Sequence, residues 1–302
     1  MLISSGARGG ARRRQSTVSN TTVNLSKTQI DRLGDRLRQG SLVAVDLRLL
    51  DGYRRSFGEA YEAVVRAIRG ELHLEPTGRP AKSTGSIVEK LLRESIRLSQ
   101  VQDIAGCRLV VADMVEQERV VASLRSLFPA VSVVDRRATP SFGYRAVHVV
   151  VHLLGTLVEI QVRSSVQHLW AELSEKVADV VDPATKYGGG PDSVRAFLRH
   201  TSEQIAAFER VEFQISELET KIAEVETKIT GTDTEIVRLE RLGQTQPPER
   251  HEQQRVIKQQ LVGTKQRLLT QKERHVIAKG QLMDALNDGL TILENLKQQQ
   301  QP

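Results

Sequence analysis

The chain has 302 residues, with 43 Lys and Arg against 37 Asp and Glu, a net charge of +6. Apolar residues make up 39% but aromatics only 4%, enough for one core of moderate size and not for two large ones, so part of the chain is expected to be elongated or disordered. The single cysteine, Cys107, excludes an intramolecular disulfide framework and a cysteine-cluster zinc site, and no stretch approaches the roughly 18 consecutive apolar residues of a spanning helix.

Residues 1–23 are Gly, Arg, Ser and Thr with almost no apolar content, which predicts a disordered basic tail. Its arginines (Arg8, Arg12, Arg13, Arg14) are not followed by the apolar run of a secretory leader. A cytoplasmic protein that does not engage a membrane is expected. Its mild positive charge is compatible with anionic substrates or RNA.

From Ser26, the spacing of Ile30, Leu33 and Leu37 predicts a helix that Gly40 ends. A second helix is expected from Val43 to Ile68. A third opens at Ser86-Ile87-Val88-Glu89, a capping-box pattern. The period then changes. Cys107–Val111 and Val131–Val134 read as strands around a helix over Val115–Phe128. Arg145–His152 and Leu157–Arg163 read as two more strands, joined by a turn containing Gly155. Ser164 or Ser165 caps a helix carrying Leu169, Trp170, Leu173, Val177 and Val180. Residues 24–192 are thus expected to form one α+β domain, with a loop or hinge at Pro183 and Gly188-Gly189-Gly190.

The last third reads differently. Phe208, Val211, Ile215, Leu218, Ile222, Val225 and Ile229 recur at spacings of three and four, a heptad seam. Gly243–Pro248 must interrupt it, and a second helical segment carries Ile257, Leu261, Leu268, Leu282, Leu286, Leu293 and Leu296. Gln271 and His275 fall where its seam wants apolar residues. Over 200–297 this predicts either an antiparallel helical hairpin or one strand of a coiled-coil homo-oligomer, a segment expected to mediate self-association or gate the site.

The candidate chemistry lies in the middle third. Period two puts Glu159, Gln161 and Arg163 on one strand face, opposite Val158, Ile160 and Val162. Tyr144, Ala146 and His148 share a face of the neighbouring strand, so Tyr144 and His148 would stand near that polar row if the two strands pair. Asp103 sits just before an apolar strand. With Glu159 it would offer hard oxygen ligands to magnesium, phosphate oxygens completing the set. Arg79, Lys82, Lys90 and Arg93 surround the start of the third helix, whose free N–H groups favour an anion.

Taken in order, Arg79…Lys82-Ser83…Ser86-Ile87…Lys90, then Asp103-Ile104-Ala105-Gly106-Cys107-Arg108, then Gly143-Tyr144-Arg145-Ala146-Val147-His148, then Val158-Glu159-Ile160-Gln161-Val162-Arg163 resemble the RelA/SpoT-type alarmone synthetase domain, in spacing as well as order. The resemblance covers residues 40–190. It departs in the two spacers between Arg79 and Lys82, where the family usually has one, and in Ala146-Val147 before the His.

The resemblance implies a nucleotidyltransferase-like mixed sheet flanked by helices, and a GTP diphosphokinase activity. Pyrophosphate would pass from ATP to the 3′-hydroxyl of GDP or GTP, giving (p)ppGpp and AMP, with Mg2+ as cofactor. It assigns Asp103 and Glu159 to catalysis and the metal, and Arg79, Lys82, Lys90 and Arg108 to ATP and its phosphates. Tyr144 would stack on the acceptor guanine, with His148, Gln161 and Arg163 completing the acceptor side. The His-Asp pair of the family's hydrolase half is not found, so a synthetase-only, small-alarmone-synthetase-like protein is expected. Two alternatives stand beside this one. In the first, a toxin-type relative pyrophosphorylates the tRNA 3′ end or makes adenosine alarmones. In the second, a non-catalytic scaffold senses nucleotide through its α+β part and works through its coiled coil.

Overall fold

The computed structural model describes residues 25–40, 43–242 and 248–299. The predicted tail over 1–23 and most of the Gly243–Pro248 interruption lie outside the described residues. In chain order the elements are α1 (Lys27–Gln39), α2 (Ala44–Arg55), α3 (Gly58–Ala67), β1 (Thr77–Arg79), α4 (Thr84–Arg93), β2 (Ala105–Val111), α5 (Met114–Leu127), β3 (Val131–Asp135), β4 (Val147–Leu153), β5 (Thr156–Ser164), α6 (Ser165–Val180), α7 (Asp192–Leu242) and α8 (Pro248–Gln299). They form two compact units: residues up to Ser56 with Ser83–Val101, and Phe57–Lys82 with the chain from Gln102 onward.

The first unit is helical. Ser26 and Gln29 cap α1 reciprocally, and Gly40 ends it at φ +70°, a left-handed turn that glycine adopts without a Cβ clash. Leu33 and Leu37 of α1 are fully buried, as are Ile87 and Leu91 of α4. A Cβ at Gly34 would lie 2.8 Å from that of Leu98, so glycine lets the following turn close onto α1. The predicted start of α4 at Ser86 is corrected: Ser83 is the cap, its hydroxyl accepting from the Ser86 N–H at 3.2 Å. The single helix expected over Val43–Ile68 is two. The Ser56 hydroxyl donates to the Tyr53 carbonyl at 2.7 Å, and α3 begins two residues later at Gly58.

The second unit is built on a five-stranded sheet in the order β1-β2-β5-β4-β3, with β2 and β5 parallel and the other pairs antiparallel. This is the expected mixed sheet. The three-residue β1 is an addition, too short to announce itself by periodicity. One face carries Cys107, Leu109, Val149, Val151, Val158, Ile160 and Val162, all buried, and α3 and α5 pack on it. The parallel β2–β5 pair forces a crossover, which α5, β3 and β4 supply. Ser164 caps α6 with a reciprocal bond to Gln167, so the last polar row of β5 leads directly into that helix.

Beyond the sheet, Val166, Trp170, Leu173 and Val177 of α6 form a buried cluster with Leu198, Ile205 and Phe208 of α7. Leu282, Met283 and Leu286 of α8 pack against it. α7 and α8 pair within the chain as an antiparallel hairpin, the first of the two arrangements that the heptads left open. Lys258, Lys265, Lys272 and Lys279 stand opposite Asp233, Glu226, Glu219 and Glu212, at 2.5, 2.7, 2.7 and 2.8 Å. The two series step by one heptad in opposite directions, so one register holds along the pair. His275 keeps its place on the half-buried seam by donating from Nδ1 to the Gln271 carbonyl at 2.8 Å. Among the described residues no helix is long and apolar enough to cross a membrane.

Candidate active site

The polar face of the sheet is assembled by strand register. Glu159 lies between Gly106 and Val150, and Gln161 between Arg108 and His148. A Cβ at Gly106 would come within 2.8 Å of the Glu159 carbonyl oxygen, so glycine is what permits this approach of β2 to β5.

Five side chains close into a hydrogen-bonded ring. Arg163 Nη2 donates to the Tyr144 hydroxyl at 3.1 Å and to Gln161 Oε1 at 2.9 Å. Gln161 Nε2 donates to Glu159 Oε2 at 2.9 Å. His148 Nδ1 lies 2.9 Å from Glu159 Oε1, and its Nε2 lies 3.0 Å from the Tyr144 hydroxyl. With Glu159 ionised, Nδ1 carries the proton and Tyr144 donates to Nε2. Both arms of the ring then point their donors from Arg163 toward the Glu159 carboxylate. Burial pushes the Glu159 carboxyl up, but the hydrogen bonds from His148 and from the Gln161 amide outweigh it, and the net shift is downward.

Glu159 also faces a cleft of about 570 Å3 lined by Arg79, Lys82, Asp103, Arg108 and Gln161. Lys82 reaches Asp103 at 2.7 Å and its backbone N–H donates to the Ile104 carbonyl at 2.6 Å. The segment before α4 is thereby tied to the segment before β2. The Asp103 charge acts on Glu159, opposing its ionisation, as expected of two carboxylates facing one space. Arg108 is half-buried. Burial first, and the Arg163 charge second, lower its pKa, and its Nε has no partner among the described residues. Two guanidiniums held together with spare donors favour an anion beside them. No group of three or more His, Cys, Asp or Glu able to hold a metal occurs among the described residues. Asp103 and Glu159 nonetheless fit magnesium, which takes one or two carboxylates and leaves its other positions to water and phosphate.

Of the residues named from sequence, Arg79, Lys82, Asp103, Arg108, Glu159 and Gln161 line one cleft, and Tyr144, His148, Gln161 and Arg163 meet in the ring that borders it. Lys90 lies on α4, in the other compact unit. The Tyr144 ring is closely surrounded. The Arg163 guanidinium lies 5.0 Å from its centroid, and the His148 and Trp170 rings lie 5.6 and 6.4 Å away.

Sequence reasoning missed Glu209. This carboxylate of α7, only 5% exposed, accepts from Arg145 Nε on both oxygens, at 3.2 and 3.0 Å, and from its Nη2, and accepts at 2.6 Å from Gln167. It pins the residue after Tyr144 to the start of α6. It sits among heptad positions, where an acid reads as solvated surface. Gly106 was readable in principle, since a glycine inside an apolar strand signals close approach.

Residues 78–178 match the family model described as the region found in RelA / SpoT proteins. Among curated relatives, a protein of Mycobacterium tuberculosis described as uncharacterised is 38% identical over 121 residues, 38% of this chain and 44% of its own length. A probable chloroplastic GTP diphosphokinase of Arabidopsis thaliana is 38% identical over 96 residues, 30% of this chain and 13% of its own. The match thus spans less than half the length of these relatives. Among solved structures, small alarmone synthetase 1 of Bacillus subtilis bound to AMPCPP aligns with 23% identity and a TM-score of 0.42, over 59% of this chain and 99% of that one. Residues 78–178 thus match the region found in RelA / SpoT proteins, and a long pair of helices follows them.

Proposed function

We propose that the chain is an alarmone synthetase that transfers the β,γ-pyrophosphate of ATP to the 3′-hydroxyl of GDP or GTP, giving (p)ppGpp and AMP. The observation that carries this reading is the meeting of Asp103 and Glu159 in one cleft with Arg79, Lys82 and Arg108. In the transfer the 3′-oxygen bonds to the β-phosphorus of ATP. The bond from that phosphorus to the α,β-bridging oxygen breaks, and AMP leaves with that oxygen. Such chemistry asks for alignment and charge neutralisation more than for covalent help.

Glu159 takes the hydroxyl proton. Its lowered pKa keeps it ionised and ready at neutral pH. Lys82, which neutralises Asp103 at 2.7 Å, turns to phosphate when nucleotide enters, while Arg79 and Arg108 bind the remaining polyphosphate charge. Lys90's assignment to the phosphates rests on the family resemblance alone. Tyr144, His148, Gln161 and Arg163 border the acceptor side, and their ring holds Glu159 in place. A magnesium ion held by Asp103 and Glu159 would neutralise charge on the transferring phosphates. Residues 24–192 would constitute the synthetase part.

The test is incubation of the full chain with γ-labelled ATP and, separately, GDP, GTP, AMP or tRNA, with products read by mass spectrometry. Expected are (p)ppGpp and AMP, with Glu159→Gln losing product by a factor of about 10²–10⁴ and keeping its circular dichroism. Label on tRNA or on an adenosine product alone would replace the acceptor. No product with any acceptor would overturn the enzyme and favour a nucleotide-sensing scaffold.

A further inference from the structure

A second cavity, of about 550 Å3, shares no lining residue with the Asp103–Glu159 cleft. It opens between the turn around Phe142, the turn around Gly188 and the N-terminal part of α7. Phe142 is 60% exposed and holds φ at +54°. Large non-glycine residues avoid that region, and an apolar ring gains nothing by standing in water. A strained backbone that presents an exposed ring points to use. One side of the ring is backed by Gly188, where a Cβ would lie 2.3 Å from the Phe142 Cδ1. The open side is therefore the one available to the cavity.

The same cavity is lined by Arg145, Arg195 and Arg199. Arg145 is committed to Glu209. Arg195 is paired with Asp192, whose side chain is 91% exposed, and so exposed a pair yields readily to a phosphate. Glu203 supplies a carboxylate that can accept from ring N–H or amino groups of a base.

We infer that this cavity binds a nucleotide, its base on the open side of Phe142 and its phosphates on Arg195 and Arg199. The volume suits a ligand of that size. Occupancy would be felt at the transfer cleft. Gly143, at φ +92°, joins Phe142 to Tyr144, and its carbonyl accepts from the Ser202 hydroxyl at 2.7 Å. A Cβ at Gly143 would lie 2.7 Å from Trp170, so the turn has little room to shift without moving Tyr144.

The nucleotide is an effector separate from the acceptor, which the proposed function places beside Tyr144, and its binding can be read without turnover. Trp170, the one tryptophan of the chain, lies beneath the turn and reports on it. The full chain is titrated with GDP and with ADP by calorimetry and by Trp fluorescence. Expected is saturable binding that Phe142→Ala and Arg195→Ala/Arg199→Ala each weaken at least tenfold, that Phe142→Tyr retains, and that Arg108→Ala in the other cleft leaves in place. Affinities equal to the parent chain in the Phe142→Ala and Arg195→Ala/Arg199→Ala variants would overturn the proposal, whatever the outcome of the transfer assay. In turnover, Phe142→Ala is expected to change kcat at constant acceptor KM, whereas a raised acceptor KM at unchanged kcat would overturn the effector role.

Discussion

Glu159 is the residue on which charge and geometry converge. Its carboxyl is held below the usual range because His148 and Gln161 outweigh its burial. A depressed carboxyl contributes stability above its unfolded pKa and loses it as pH falls through the folded value. The acid limb of kcat/KM is therefore expected below the ordinary glutamate range. His148→Ala removes the main opposing contribution and lets burial win, so that limb should move to higher pH, and a pH–rate profile measures it. An unmoved limb would mean that Glu159 is not the titrating base. Gly106→Ala pushes a methyl toward the Glu159 carbonyl at 2.8 Å. A loss of about 1–3 kcal/mol from overpacking is expected in urea unfolding, with turnover reduced as β2 and β5 spread.

The legibility of this site follows residue type and period. Glu159, Gln161 and Arg163 could be placed on one face because strand alternation has no other outcome, and Tyr144 and His148 joined them because their strand alternates too. Phe142 was not legible. Its role depends on a left-handed turn and on Gly188, 46 positions away, and no local pattern encodes that meeting. Glu209 failed for a related reason: its burial comes from Arg145 and Gln167 on other elements.

At the scale of elements, the hairpin's ion pairs look alike in sequence but differ in environment. Lys272 and Glu219 have side chains 33% and 54% exposed, and a double-mutant cycle should give about 0.2–1 kcal/mol, shrinking in salt. Glu212 is 3% exposed at its side chain and also accepts from the Met114 N–H at 3.2 Å. Burial first drives its carboxyl pKa upward, against the pull of Lys279. Lys279→Ala should therefore cost on the order of 3 kcal/mol, because it leaves a buried carboxyl without its cation. Equal costs at the two pairs would mean that the root of the hairpin is no better shielded than its shaft. The heptads made both helices visible from sequence. Their pairing within one chain was not, because knobs and holes fit an intrachain partner and a second copy equally well.

For the molecule as a whole, α7 is part of the domain's core as well as an arm. Leu198, Ile205 and Phe208 are buried against α6. Each large apolar side chain so buried contributes about 1.5–3 kcal/mol, and three together rival the roughly 5–15 kcal/mol of a typical domain. A chain ending at Asp192 should consequently lose cooperative unfolding instead of becoming a tailless enzyme. Cys107 offers the readout: burial pushes its thiol up to about 12, so it should resist alkylation in the full chain and react in the truncated one. A truncated chain that keeps a protected thiol would show that the α+β part stands alone.

From Phe208 to Leu242 the arm runs roughly 50 Å at 1.5 Å per residue, and the ladder of lysines facing Glu or Asp repeats along it once per heptad. Seven is therefore the unit in which the arm can be lengthened or trimmed. Taking one heptad from each helix would leave every surviving lysine facing an acid and the root untouched. Deleting one or two residues from α8 alone would turn its apolar edge by roughly 100–200° out of the seam and set lysines against the wrong neighbours. Arm length is thus adjustable in steps of about 10 Å, independently of the cleft at its base.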